Sequence, residues 1–242
     1  MLCKTYNLTN EGVTLTAYIL DSSPEMPNNT LRPAMLICPG GAYVMCSDRE
    51  AEPVAMHFLS MGINTFVLRY SLKENSVFPK PLNDAEEAFG FILDRADEFN
   101  IDKTKTAVCG FSAGGHLAAA LGILGKRKPS AMVLGYPCIT EDICHGTVLY
   151  SDVPPLDGEV SKDTPPAFVF AAADDGCVPI RSTLDLCSAL SKNGVSFEAH
   201  IFEKGGHGFS TADAVTCSKN ENPDAQKWVG LCKSFLNRRF FS

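Results

Sequence analysis

The chain has 242 residues, 45% of them hydrophobic, with 28 acidic against 21 basic side chains and a formal net charge of −7. That length suits one α/β domain, since single cores grow to roughly 250 residues before splitting, and the apolar share argues against disorder. The acidic balance, with no clustered lysines or arginines, argues against a nucleic-acid or anionic-membrane partner.

The N-terminal run Met1 to Tyr6 has no signal-peptide h-region. No apolar stretch approaches the ~20 residues that span a bilayer. The ten cysteines show no CxxC and no Cys/His metal spacing. They read as small buried hydrophobes in a reducing cytosol, so neither a metal nor a disulfide framework is expected.

Strand-like and helix-like runs alternate. Val13 to Leu20 alternates in polarity and reads as an antiparallel edge or second strand. Ala34 to Cys38 is fully apolar and reads as a buried strand. Glu50 to Met61 places Ala51, Val54, Ala55 and Phe58 on one helical face, and Gly62 stops it. Ile63 to Leu68 is the next strand. Asp84 reads as the cap of a helix whose apolar face carries Ala88, Phe89, Ile92 and Phe99. Thr106 to Cys109 and Ala131 to Leu134 follow as strands, separated by a small-residue helix. Tyr136 to Pro166 is long, rich in Pro, Asp and Gly, and weakly periodic. An irregular segment of that length between two core strands is usually functional. It reads as an insertion or cap near a ligand pocket. Ala167 to Ala171 is a strand, Ile180 to Leu190 a helix aligning Leu184, Cys187 and Leu190, and Phe197 to Phe202 the last strand. Gln226 to Leu236 closes the chain as a helix presenting Trp228, Leu231, Cys232 and Phe235. This alternation predicts a mostly parallel central sheet with helices on both faces. The basic runs Lys126 to Lys128 and Arg238-Arg239 read as helix-end charges.

The segment Cys109-Gly110-Phe111-Ser112-Ala113-Gly114-Gly115-His116 carries the chemistry. Gly-x-Ser-x-Gly following a strand and opening a helix is the context of a nucleophile elbow, in which a sharp turn lifts the serine hydroxyl above the sheet. A serine nucleophile needs a base, a group to orient that base, and donors for an oxyanion. His207 is the base candidate, in the glycine-rich loop Lys204 to Phe209 after the last strand. His57, His116, His145 and His200 are less suited: they lie within a helix, one turn after the serine, in the irregular segment and mid-strand. The acid is Asp174 or Asp175, of which one would face the histidine and the other cap the turn. Asp175 opens Asp-Gly-Cys-Val-Pro, which resembles the hydrolase pattern Asp-x-x-Val-Pro and favours Asp175. The oxyanion donors are expected from the Ala113 amide and from the loop Pro39-Gly40-Gly41-Ala42-Tyr43.

Together these residues resemble the α/β-hydrolase superfamily, in particular esterases of the hormone-sensitive-lipase-like and acetylxylan-esterase-like type. The resemblance covers nearly the whole chain. Pro39-Gly40-Gly41-Ala42-Tyr43 is similar to the family's His-Gly-Gly-Gly loop, with proline in place of histidine as in a small bacterial carbohydrate-esterase branch. The runs Gly62 to Tyr70, Pro81 to Ala85 and Asp163 to Pro166 are similar to that branch as well. The resemblance implies an α/β-hydrolase fold with a triad of Ser112, Asp175 and His207, and an oxyanion hole of Gly41, Ala42 and Ala113. Ala171-Ala172-Ala173 departs from the branch's histidine-containing string, and the long N-terminal cap of larger members has no counterpart.

The expectation is a single domain over 1–242, with 136–166 as its insertion or cap. It would be a cytoplasmic, cofactor-free serine esterase acting on small-molecule short-chain esters, acetyl esters foremost and acetylated sugars or xylo-oligosaccharides among them. Homo-oligomerisation is compatible with the sequence. The rivals are an amide or peptide hydrolase on the same scaffold and a non-catalytic ligand-binding protein of hydrolase fold.

Overall fold

The computed structural model describes residues 1–26, 30–217 and 222–241. Its strands are β1 (Leu2–Asn7), β2 (Thr14–Ile19), β3 (Arg32–Cys38), β4 (Asn64–Arg69), β5 (Ile101–Phe111), β6 (Ala131–Gly135), β7 (Ala167–Ala172) and β8 (Phe197–Phe202). They form one sheet in the order β1-β2-β4-β3-β5-β6-β7-β8. β1–β2 and β2–β4 pair antiparallel and every other pair is parallel. The helices are α1 (Glu52–Ser60), α2 (Lys80–Asp94), α3 (Ser112–Leu124), α4 (Glu141–Cys144), α5 (Ile180–Lys192), α6 (Pro223–Gln226) and α7 (Trp228–Phe240). Among the described residues no helix is long and apolar enough to cross a membrane.

Both sheet faces are covered, which is why the central strands read as unbroken apolar runs. Leu36, Val108, Leu134 and Val169 point to the face packed by α2, α3 and α5. Their neighbours Ile37, Cys109, Val133 and Phe170 point to the opposite face, packed by α1 and α7. There Trp228 stacks on Phe170 with ring centroids 4.2 Å apart.

Several details depart from the sequence-based expectation. β2 is the antiparallel second strand, one of its two expected places, and the unexpected element is β1, which covers its outer edge. β1 is exposed along nearly its whole length, so it carries no period-two apolar signal. α2 starts at Lys80, with Pro79 preceding it and Pro81 in its first turn. Asp84 is therefore not a cap. It is buried inside the helix, where its carboxylate accepts from the Ser71 amide at 2.7 Å and Asn10 Nδ2 at 2.6 Å. Phe99 lies past the end of α2 and packs against Phe66. Leu184 is 50% exposed; α5 buries Ser182, Thr183, Leu186, Ala189 and Leu190 instead. The closing helix is divided into α6 and α7.

Residues 136–166 hold only α4 and a 3₁₀ turn at Asp157–Glu159. They still contribute Ile139, Ile143, Leu149, Val153 and Leu156 to the core. A buried histidine fastens this segment. His116 Nε2 lies 2.9 Å from Pro154 O, and its Nδ1 lies 2.9 Å from Tyr43 Oη. A carbonyl can only accept, so Nε2 carries the proton and Nδ1 accepts from Tyr43. One neutral ring thus joins α3, the loop after β3 and the 136–166 segment. Burial pulls the His116 pKa down from 6.5 to about 4. The folded chain therefore favours the neutral ring. Its contribution to stability is complete above the ordinary value and is lost as pH falls toward about 4. His116→Phe should be less stable than wild type at neutral pH by roughly 2–4 kcal/mol, since Tyr43 Oη and Pro154 O lose their partner. It should also lose less further stability than wild type on acidification from pH 6.5 to 4. Urea melts at the three pH values check both.

Candidate active site

The elbow is built from backbone proximity. β5 is paired on both sides up to its last residues, Gly110 with Cys38 of β3 and Phe111 with Gly135 of β6. The chain then reverses into α3 at Ser112, whose φ is +53°. A left-handed backbone at a residue with a Cβ is disfavoured by roughly 1–2 kcal/mol and persists only where its surroundings enforce it. Here the enforcement is close packing. A side chain at Gly110 would collide with Gly114 O, and one at Gly114 would collide with the carbonyls of Cys38 and Pro39. Ala113 is the second residue of α3, so its amide has no acceptor one turn earlier within the helix.

Ser112, Asp175 and His207 come together from the ends of β5, β7 and β8. Ser112 Oγ lies 2.9 Å from His207 Nε2, and His207 Nδ1 lies 2.7 Å from Asp175 Oδ2. The Asp175 side chain is 1% exposed and that of His207 21%. Asp175 Oδ1 is occupied separately, accepting the Cys177 and Val178 amides at 2.9 Å each. Thus Asp175 both faces the histidine and caps its own turn. The expected division of labour with Asp174 does not hold. Asp174 instead accepts the Gly206 amide at 2.9 Å and steadies the histidine loop.

The loop after β3 presents Gly41 and Ala42 to the same space. Gly41 has φ +128°, and a side chain there would strike Met45 O. Ala42 and Tyr43 follow at +57° and +60°. The Gly41 carbonyl accepts the Val44 and Met45 amides at 2.9 and 3.1 Å, which folds the loop on itself. Among the described residues neither the Gly41 nor the Ala42 amide meets a protein acceptor. Tyr150 N donates to Ala42 O at 2.9 Å, so the 136–166 segment braces this loop.

Two groups at the site carry no sequence signal. Glu50 is a buried carboxylate: Oε2 accepts the Gly40 amide at 2.8 Å and Oε1 accepts Tyr136 Oη–H at 2.6 Å. Tyr136 lies edge-on to His207, with ring centroids 5.1 Å apart. Glu50 and Tyr136 sit 86 residues apart, and no motif joins them. Cys138 Sγ is 4.0 Å from Ser112 Oγ, but burial pushes its thiol pKa far up, so it stays protonated beside the serine.

These groups surround a cavity of ≈ 280 Å³, lined by Gly41, Ala42, Ser112 and His207 together with Met45, Arg49, Glu50, Val148 and Cys177. A larger one of ≈ 380 Å³ lies beside α1, between Met56, His57, Asp213 and Val215. It offers no nucleophile next to a base, and its His57 stands 3.5 Å from Asp213. Among the described residues no group of His, Cys, Asp and Glu is arranged to hold a metal ion.

Residues 82–239 match the dienelactone hydrolase family and residues 22–136 match the BD-FAE family. The chain is 31% identical over 226 residues to an acetylxylan esterase of Xylanibacter ruminicola, covering 85% of this chain and 45% of that relative. It thus spans less than half of that relative's length. An α/β hydrolase, MGS-M1, from a Medee basin deep-sea metagenome library superposes with TM-score 0.91 at 43% identity, over 98% of this chain and 97% of that one. An acetyl ester-xyloside bifunctional hydrolase from Caldicellulosiruptor lactoaceticus superposes with TM-score 0.82 at 32% identity, over 96% and 90%. An eight-stranded, mostly parallel sheet with a serine elbow at the end of β5, joined to these likenesses, makes the chain an acetylxylan-esterase-like α/β-hydrolase that belongs to the dienelactone hydrolase family.

Proposed function

We propose that this protein is a serine esterase that cleaves short-chain carboxylic esters, acetyl esters of small alcohols or sugars foremost. The observation that carries the reading is the continuous hydrogen-bonded line from Ser112 Oγ through His207 to Asp175, opening on one cavity. The acetylxylan esterase and acetyl ester-xyloside hydrolase among the relatives support acetyl esters as the substrate class.

The geometry supports the following chemistry. With Nδ1–H donated to Asp175, the lone pair of Nε2 faces the serine hydroxyl. His207 takes the Ser112 proton as Oγ attacks the ester carbonyl. The carbonyl oxygen gains negative charge, which the amides of Gly41, Ala42 and Ala113 stabilise. The C–O bond to the alcohol breaks and His207 returns the proton to the leaving oxygen. Water, deprotonated by the same nitrogen, then attacks the acyl-enzyme and frees the acid and Ser112. No cofactor is needed for any step.

On this reading 1–242 act as one hydrolase domain and 136–166 as its cap. Val148 lines the cavity and Tyr150 holds Ala42 from that segment. Ten cysteines with no disulfide among the described residues suit a cytoplasmic setting.

Ser112→Ala should abolish p-nitrophenyl acetate turnover and labelling by a fluorophosphonate; turnover equal to wild type would sink the assignment. Asp175→Asn should fold, since one side-chain oxygen can still cap the turn, yet lower kcat by roughly 10³–10⁴ through the wrong histidine tautomer. Finally, a cavity of ≈ 280 Å³ walled by Met45 and Val148 favours small acyl groups. A p-nitrophenyl ester series should show kcat/KM falling from acetate to octanoate. A maximum at octanoate would reject the short-chain preference.

A further inference from the structure

The proposed chemistry leaves a buried carboxylate of the site without a task. Glu50 is 2% exposed and contributes to the cavity wall. A buried carboxylate is strongly destabilising unless its oxygens are fully engaged. Both are engaged here, and each by a different part of the site. Oε2 holds the Gly40 amide, immediately before Gly41 and Ala42. Oε1 holds the Tyr136 hydroxyl. Tyr136 Oη already accepts the Ser210 amide at 2.9 Å, so its own proton points to Glu50. Ser210 belongs to the segment that follows His207. Its hydroxyl donates to Arg49 O and its carbonyl accepts Trp228 Nε1–H at 2.8 Å.

We propose that Glu50 is a positioning residue of the hydrolytic site. Its carboxylate ties the loop carrying Gly41 and Ala42 to the loop carrying His207, through Gly40 on one side and Tyr136 with Ser210 on the other. This rests on the serine-esterase reading given above. The oxyanion donors and the base come from distant stretches of chain, and Glu50 sets the spacing between them. Its effect falls on the transition state, in which the negative oxygen and the protonated imidazole form together, and not on substrate capture. Catalytic geometry is sensitive at this scale, because donors stabilise an oxyanion only when held about 3 Å from it.

Glutamine at this position keeps the volume but not the wiring. Its carbonyl can still accept the Gly40 amide. Its NH₂ would then face Tyr136 Oη, which already accepts from Ser210, and the tyrosine proton is left without an acceptor. The experiment measures p-nitrophenyl acetate hydrolysis by full-length wild type, Glu50→Gln, Tyr136→Phe and Ser112→Ala. Rates of wild type, Glu50→Gln and Tyr136→Phe are divided by the fraction of sites titrated with a fluorophosphonate, so misfolded protein does not count, and that of Ser112→Ala, which the reagent cannot titrate, is taken per mole of protein. Glu50→Gln should lower kcat per titrated site by roughly 10- to 100-fold, less than deletion of a donor itself. KM should stay within about twofold, and the Ki of a trifluoromethyl ketone that adds to the serine should rise in step with the fall in kcat/KM. Tyr136→Phe keeps the Glu50–Gly40 bond and the ring packing. It should lower kcat several-fold with KM unchanged, and it decides the matter alone if Glu50→Gln does not fold. Wild-type kcat per site in either variant, beside an inert Ser112→Ala, overturns the role of Glu50 and leaves the esterase reading intact. Wild-type turnover by Ser112→Ala overturns both.

Discussion

The left-handed backbone of Ser112 is the constraint on which the site is built. β5 cannot continue past Phe111, because α3 must fold straight back against the strand it leaves. That reversal is possible only because Gly110 and Gly114 let two backbones touch. The strain is local, and the support for it is spread over the most deeply buried part of the molecule. β5 lies between β3 and β6 at the middle of the sheet. The serine hydroxyl is thereby carried by the stiffest element available, and loops are left to deliver its partners.

Those partners arrive at one rim because parallel strands end together. β5, β7 and β8 run the same way, so the turns after them meet above the same edge, as does the loop after β3. Each loop is then held by groups from elsewhere in the chain. Asp174 holds the histidine loop, Tyr150 holds the Ala42 loop, and Glu50 with Tyr136 connects the two. His116 ties the same Ala42 loop, through Tyr43, to Pro154 of the 136–166 segment. The cavity is thus enclosed by short irregular segments fixed by polar contacts, above a sheet fixed by apolar ones.

The sequence disclosed the parts that obey a local rule. The order of strands and helices followed from apolar runs of different length and period. A glycine-flanked turn between strand and helix points to Ser112 and a glycine-rich loop after the last strand points to His207, and the fold sets the two side chains 2.9 Å apart. What stayed hidden obeys no local rule. β1 is exposed on both faces and shows no alternation. Asp84 sits where a cap residue would, but Pro79 and Pro81 start the helix earlier and its carboxylate turns inward to Ser71 and Asn10. Leu184 has the right spacing for the core, yet α5 is rotated so that Ser182 and Leu186 face inward; Ser182 Oγ donates to Pro137 O and accepts the Ile139 amide. Glu50 and Tyr136 are an ordinary acidic residue and an ordinary aromatic until the fold brings them together.

Asp175 has a further bearing on how the molecule is made. Its carboxylate is oriented by the amides of Cys177 and Val178, two and three residues downstream, before any histidine is at hand. Ser112, Asp175 with its two amide donors, and the loop of Gly41 all precede His207 along the chain. The imidazole is translated later, and Trp228, which secures Ser210 in the segment behind it, later still. Synthesis from N- to C-terminus therefore supplies Ser112 and Asp175 ahead of the imidazole that, on the proposed reading, arms the serine.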